Sequence, residues 1–452
     1  MAHRDGHAVV VGASIAGLLA ARVLTDFFEQ VTLVDRDDLS DGPLARRGVP
    51  QGRHPHALLT GGLRALEQLL PGLTPDLVRH GAEVCDLQAD SRLHVEGLLM
   101  CQRRSGLDAV AVSRPLLEDR VRAAVLALPR IELVASAQLL DLRTADGRVV
   151  GVRARRHGGD LDLPADLVVD ATGRGSHTPA WLAAHGWPRP AESDIAVGIA
   201  YAGWVFPRRP DDLDGARFLL TGPTADVPRF GSALAAEGDR WLVGCAGYRN
   251  DRAPVDLPAL HDFTASLTAP DLADLVRDRE PLDQPRAHRF PSSMRRHYER
   301  LPHFPDGLLV TGDAISSFNP IYGQGMTIAA LEALALRAEL ERDGGDLARR
   351  FFRRAARLVD VAWDLAAGGD LRLPVVPGPR PLRTRLVNSY VAQVAAASTS
   401  DADVALTFIR VLNLIEPPTA LLRLPTVARV VAARRPGARP AGSLSRWRRL
   451  SA

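Results

Sequence analysis

The spacing of apolar residues predicts a mixed α/β chain that opens with a strand–helix–strand unit. Residues 8–11 are a short β-branched run ending at Gly12, residues 15–28 have helical spacing, and residues 31–35 form a second apolar run. That order within about 30 residues requires two parallel strands joined by a crossover helix. Residues 56–70 read as a helix, and residues 115–128 as another with Pro115 in its first turn. Three apolar segments follow at 131–142, 149–154 and 161–169, the first two flanking Ala145-Asp146-Gly147, a hairpin signal. Residues 195–206 and 240–248 alternate as half-buried strands do and predict a second sheet. Residues 308–310 read as a buried strand; after Gly323 the chain turns helical to residue 366, and again over 387–415.

Two glycine turns in this frame carry chemistry. The first, Gly12-Ala13-Ser14-Ile15-Ala16-Gly17, sits between strand and helix, where glycines permit a tight turn, close approach of a pyrophosphate and close helix–strand packing. The helix N-terminus adds free N–H groups and the positive dipole end. Ser14 stands where the middle glycine is usual, and Asp35 ends the second strand, where an acid accepts from ribose hydroxyls, with Arg36 beside it. The second turn is Gly312-Asp313-Ala314, followed by Pro320 and then Gly323, Gln324, Gly325 and Met326. Asp313 is placed to accept from a ribityl hydroxyl, and a helix starting near Gly325 to stabilise negative charge on a reduced flavin ring. The ordered pair of turns points to FAD.

Composition changes this picture little. With 452 residues the chain is too long for one core and implies two or three subdomains. All 56 basic residues are arginines and they are interspersed with 53 acids, for a net charge of +3, so no nucleic-acid surface is expected. The run from Arg434 to Arg449 is basic and reads as a frayed terminus. Three cysteines without CxxC spacing predict reduced thiols and a cytoplasmic protein, and no apolar run reaches membrane-spanning length. His54-Pro55-His56 has no neighbouring carboxylate or cysteine set, so no metal site is expected, and no Gly-x-Ser-x-Gly elbow occurs.

Over residues 7–370 the chain resembles the p-hydroxybenzoate-hydroxylase-type FAD-dependent monooxygenases, and within them the actinobacterial group that includes squalene-epoxidase-like polyether epoxidases. The motifs are Arg46-Arg47-Gly48-Val49-Pro50-Gln51-Gly52-Arg53-His54-Pro55-His56-Ala57-Leu58-Leu59, Ser113-Arg114-Pro115-Leu116-Leu117-Glu118 and Val169-Asp170-Ala171-Thr172-Gly173-Arg174-Gly175-Ser176. The resemblance implies a Rossmann-type, glutathione-reductase-like FAD domain assembled from residues 1–90, 110–182 and 285–345. An inserted mixed-sheet substrate domain would use 91–109 and 183–284, followed by a helical region at 346–435 and a basic tail at 436–452. It implies that Arg46 and Arg114 approach the FAD phosphates or ribityl chain, that Asp170 lies at the cofactor, and that His54 and His56 lie near the flavin ring. There a histidine would act on a flavin peroxide or orient substrate, or simply anchor the loop. Asn319 and Tyr322 would line the ring or pack.

The family's Asp-Gly motif reads Thr172-Gly173 here, which leaves the electron donor as NAD(P)H or a partner reductase. The implied activity is transfer of one oxygen atom from O2, through a flavin C4a-hydroperoxide, to a hydrophobic secondary-metabolite substrate of polyketide or terpenoid type, by epoxidation or hydroxylation. The alternative is a non-redox cyclase that keeps FAD as support. A halogenase reading is disfavoured, because that family uses a lysine and a Trp-x-Trp-x-Ile motif and this chain has neither.

Overall fold

The computed structural model describes residues 4–433 apart from 40–41, 44–53, 57, 250 and 343. Arg46 and the basic tail therefore lie outside the described residues. The opening unit folds as its pattern predicts: strand β1 (Arg4–Val11), helix α1 (Ile15–Leu24) and strand β2 (Phe28–Val34), with β1 and β2 parallel. They form the middle of a five-stranded parallel sheet in the order Leu308–Val310, Leu167–Asp170, β1, β2, Ile131–Val134. Its strands are continuous apolar runs because both faces are covered, among others by α1 and the helices Arg114–Leu126 and Gly325–Leu340.

Two apolar segments of the sequence each divide between sheets. Residues 131–142 break at Ser136, whose φ is +55°: Ile131–Val134 joins the parallel sheet and Ala137–Ala145 begins a three-stranded antiparallel excursion. Residues 161–169 divide likewise into Gly159–Pro164 and Leu167–Asp170. Within the excursion, Asp146 and Gly147 both have positive φ, +48° and +74°, the geometry a two-residue hairpin demands. The helix after the histidine loop starts at Thr60 rather than at His56, and the long helical stretch after Gly323 is two helices, Gly325–Leu340 and Leu347–Arg372.

The second sheet has seven strands in the order Arg286–Phe290, Ile199–Pro207, Arg240–Gly247, Arg229–Ala236, Phe218–Thr221, Ser91–Val95, Leu98–Leu99. Its side chains alternate between faces. Trp204, Phe206, Trp241 and Val243 pack in a core with the helices Leu257–Ala265 and Asp271–Val276, while Phe230, Ser232, Gly244 and Ala246 turn to a cavity. The helices Leu382–Ala397, Ala402–Leu412 and Leu424–Ala432 close a third core with Leu87, Met100 and Leu107. Among the described residues no helix is long and apolar enough to cross a membrane.

Candidate functional site

The two glycine turns touch. Gly312 has φ +66°, and a Cβ on it would lie 2.6 Å from the Cβ of Ala16. Only a small residue at 16 and glycine at 312 let the first turn of α1 meet the end of the strand Leu308–Val310. Gly12 has φ +100°, donates its N–H to the Val34 carbonyl at 2.8 Å, and would place a Cβ 2.5 Å from the Ala171 oxygen. A Cβ on Gly17 would run into the Gly12 carbonyl. Gly12 and Gly17 are glycines because backbone lies against backbone there, and Gly312 because the Ala16 methyl takes the space of a side chain.

Asp35 braces this turn. One carboxylate oxygen accepts from the Ala13 N–H at 2.6 Å and the other from the Asp37 N–H at 2.8 Å. Arg36, next to it, is exposed. Ser14 makes no helix-capping bond; its hydroxyl donates to Glu118 at 3.2 Å and accepts from the Arg114 guanidinium at 3.2 Å. The serine at the middle-glycine position thus ties the turn to the helix Arg114–Leu126, which Ser113 caps by accepting from the Leu116 N–H. Arg114 also faces Glu118 at 3.6 Å, and its Nε is buried without a partner among the described residues.

Asp313 has no hydrogen-bond partner among the described residues. Burial raises its carboxyl above the usual range, while Arg114 and Arg174 pull it down. It lies against the start of the helix Gly325–Leu340, where a Cβ on Gly325 would be 3.5 Å from its oxygen. Gly323, at φ +65°, turns the chain into that helix after the short turn Pro320–Tyr322. Met326 is buried in the core, so at this helix start only its backbone faces outward chemistry.

Asp170, expected at the cofactor, is held by groups of its own turn. It is fully buried, and its two oxygens accept from the Thr172 N–H and hydroxyl and from the Ser176 and Thr178 hydroxyls, at 2.5 to 2.9 Å. A carboxylate has about four acceptor positions, and here the residue's own turn takes them all. Glu332 escaped the sequence reading. Buried in the helix Gly325–Leu340, it accepts from the Thr311 hydroxyl at 2.8 Å and the Gly312 N–H at 2.6 Å and so holds the Gly-Asp turn. Burial pushes its carboxyl up to about 7.

Beside this cradle lies an apolar cavity of about 1040 Å³. One end is formed by His54, His56 and the segment from Pro320 to Gln324, the floor by Tyr201, Phe230 and Ser232, and the far end by the C-terminal helices. Phe230 of the second sheet lines it, whereas Trp204, Phe206 and Trp241 belong to the core. The histidine loop lies flat on the second sheet because Gly244 lacks a side chain; a Cβ there would meet Pro55 at 2.7 Å. His56 Nδ1 bonds the His54 carbonyl at 2.7 Å, and His54 rests edge-on against Tyr201 with ring centroids 4.5 Å apart. His54 Nδ1 is buried without a partner among the described residues. Burial, with His288 nearby, lowers His54 to about 4; burial and the Arg114 charge lower His56 to about 3. Both rings are neutral at pH 7. Among the described residues no group of acids, histidines and cysteines is arranged to hold a metal, and the three cysteines are unpaired.

Residues 8–194 match the FAD dependent oxidoreductase family. The chain is 34% identical over 443 residues to Protein Rv3254 of Mycobacterium tuberculosis, covering 94% of this chain and 93% of that one. The chain belongs to the FAD-dependent oxidoreductases. It is also 25% identical over 359 residues to squalene monooxygenase of Mus musculus, spanning 76% of this chain and 56% of that protein. Among solved structures it shares the fold of the flavin-dependent brominase Bmp2, with a TM-score of 0.65, 14% identity, and coverage of 95% of this chain and 98% of the brominase.

The flavoprotein's cradle suits FAD on its own geometry. The backbone at Gly12 is bare and the first N–H groups of α1 have no partner inside the helix; among the described residues, Arg114 keeps an unpaired buried donor and Asp313 keeps free acceptors.

His54 gives the oxidoreductase an acid sensitivity. Its folded value lies below the ordinary histidine value of 6.5, so its contribution is complete above that value and is lost as pH falls through about 4. The loss amounts to about 3 kcal/mol. His54→Phe should flatten the fall of the thermal midpoint between those two pH values. An unchanged slope in the variant would show that His54 is not the group responsible.

Proposed function

We propose that this oxidoreductase is an FAD-dependent monooxygenase that transfers one oxygen atom of O2 to a hydrophobic substrate, by alkene epoxidation or ring hydroxylation. The observation that carries this reading is the apolar cavity of about 1040 Å³ that ends on the segment Pro320 to Gln324, beside the Gly312-Asp313 turn. A cavity of that size takes a substrate of drug size or larger, and it meets the FAD cradle where oxygen transfer would occur. When bound, FAD supplies the redox and oxygen chemistry. The chain supplies binding, orientation and exclusion of water.

In this reading Gly12, Ser14, Ala16 and Gly17 with Arg114 hold the diphosphate; Asp35 faces the ribose of the adenosine half, with Arg36 flanking, and Asp313 the ribityl chain. Arg46, outside the described residues, would join Arg114. The turn at Pro320 and Gly323 and the backbone at Gly325 and Met326 frame the ring, with the positive end of the helix toward it. His54 and His56, both neutral, orient substrate at the ring end of the cavity. Electrons come from NAD(P)H or from a partner flavin reductase. The name of squalene monooxygenase, an enzyme similar over three quarters of this chain, supports an apolar terpenoid-like substrate, and a polyketide of like polarity fits the same walls.

The test is a single turnover with isotopically labelled O2. The flavoprotein is reduced anaerobically, mixed with candidate apolar substrates, and exposed to the labelled gas. One labelled oxygen in the product is expected. Conversion of substrate without O2 and with oxidised flavin would instead establish a non-redox cyclase.

A further inference from the structure

At the end of the cavity that meets the Gly312-Asp313 turn, a set of neutral hydrogen-bonding groups stands without partners among the described residues. Tyr201 and Ser232 line the cavity from the second sheet, and neither hydroxyl makes a hydrogen bond there. His54, only 3% exposed, rests edge-on against the Tyr201 ring, and both of its ring nitrogens are unpaired. His56 uses Nδ1 on the His54 carbonyl and keeps Nε2 free. Gly244 draws the set together. The place of its Cβ is 2.7 Å from Pro55, next to His54, and 2.9 Å from the Ser232 hydroxyl oxygen. Polar groups withdrawn from water and left unpaired cost free energy. A few of them converging in an apolar cavity mark the place of a ligand's polar group.

The remaining walls take hydrocarbon. Tyr201 stands on the strand Ile199–Pro207; three strands across the same sheet is Phe218, which with Leu93 of the next strand packs against Val391 and Phe408 of the C-terminal helices. Four charged side chains reach the cavity, in two pairs: Arg372 with Glu96, and Arg383 with Asp364 at 3.6 Å. Arg372 also donates to the Pro223 carbonyl at 2.9 Å. Arg114, whose charge reaches His56 and Tyr201, is engaged by Ser14 and Glu118. A carboxylate or phosphate in the cavity would therefore be buried without a cation of its own. The polar end also selects among neutral groups. The Tyr201 and Ser232 hydroxyls can donate, and a neutral histidine has one donor and one acceptor nitrogen. A carbonyl only accepts, so it suits one tautomer of His54. A hydroxyl donates and accepts, and suits both.

We propose that the substrate is a largely apolar molecule bearing one uncharged hydroxyl, and that Tyr201, Ser232 and His54 hold that hydroxyl at the ring end while the hydrocarbon body extends toward the C-terminal helices. This rests on reading the cavity as the substrate site of an oxygenase. It puts the carbon to be oxidised near the hydroxyl, as in an allylic alcohol or a phenol.

Equilibrium dialysis of the full-length, FAD-loaded protein in its oxidised form tests it, with two sets of probes. One set is farnesol, farnesene and farnesoic acid; the other is 2-naphthol, naphthalene and 2-naphthoic acid. In at least one set the alcohol should bind at least about tenfold more tightly than the acid. Tyr201→Phe and Ser232→Ala should each weaken the alcohol about fivefold and leave the hydrocarbon unchanged. Both variants should keep the parent's FAD content and thermal midpoint, because each removes a hydroxyl that the fold does not use. Ser232→Ala decides alone should Tyr201→Phe fold poorly. The proposal is overturned if no probe of either set binds, if the acid binds as tightly as the alcohol in both, or if the variants weaken alcohol and hydrocarbon alike. Loss of FAD from the folded variants would also overturn it, by assigning these hydroxyls to the cofactor. Binding is read without O2 or turnover. Its failure therefore leaves the monooxygenase reading to the labelled-oxygen experiment, and failure of oxygen transfer leaves the preference for a hydroxyl standing.

Discussion

Gly17→Val is expected to give a protein that no longer retains FAD and that unfolds at a much lower temperature. Glycine 17 sits in the first turn of α1, with the Gly12 carbonyl pressed against the place a side chain would occupy and the Ala171 methyl 3.3 Å from it. The backbone of Gly12 cannot retreat. Its N–H is bound to Val34, and its own α-carbon backs onto the Ala171 carbonyl in the neighbouring segment. A valine therefore pushes α1 off the sheet. Overpacking of this kind costs about 3 kcal/mol, and more where backbone must move. The same shift carries the helix N-terminus away from the phosphate position and parts Ala16 from Gly312, so cofactor binding and folding fail together. Gly17→Ala should show a smaller loss of the same sign. The flavin-to-protein absorbance ratio and the thermal midpoint measure both. A valine variant that stays yellow with an unshifted midpoint would remove close packing as the reason for this glycine.

That contact also marks what could be read from the chain alone. The opening strand–helix–strand unit was legible because the apolar pattern changes period at Gly12 and again near residue 28. The two turns were legible as an ordered pair, whereas the meeting of Ala16 with Gly312 was not, since they are 296 positions apart in the chain and no local rule links them. Glu332 was hidden for a different reason. An acid in an alanine-rich helix looks like a solvent-facing residue, and only the fold shows that Gly312 brings an N–H to it. Asp170 shows a local arrangement that the sequence did not announce. It follows a buried strand as a ligand acid does, but the hydroxyls of Thr172, Ser176 and Thr178 close on it from its own turn. The division of residues 131–142 between two sheets was invisible because no glycine or proline marks Ser136. Local pattern thus predicted elements well, and it failed where a buried polar group takes its partner from elsewhere in the chain.

Asp370 is the most consequential of these hidden groups, and Asp370→Leu is expected to be severely destabilising and to disorder the ring end of the cavity. It lies near the end of the helix Leu347–Arg372, where Gly368-Gly369 before it reads in sequence as a helix stop. In the fold, one of its oxygens accepts from the Tyr248 hydroxyl at 2.7 Å, the Asn319 amide at 2.8 Å and the Tyr322 hydroxyl at 3.1 Å. Gly369 is glycine because the Tyr322 hydroxyl occupies the space of its Cβ. A single carboxylate therefore joins the helix Leu347–Arg372 to the end of the second sheet and to the turn Pro320–Tyr322. Leucine leaves three donors without their acceptor, of which Tyr248 and Asn319 are almost fully buried. At about 1–3 kcal/mol for each stranded group, the loss is on the order of 5 kcal/mol. Asp370→Asn keeps an acceptor oxygen for the same donors and should recover most of it. The two variants also separate in pH. Burial pushes the Asp370 carboxyl up to about 6, so the stability tied to its protonation is complete below the ordinary carboxylate value of 3.8 and is lost as pH rises through about 6. The asparagine variant cannot ionise and should lack that decline, whereas a residue that only filled space would leave the parent's pH profile unchanged. Denaturant unfolding of parent, Asn and Leu forms at pH 5 and pH 8, followed together with flavin retention, distinguishes a positioning carboxylate from a packing one.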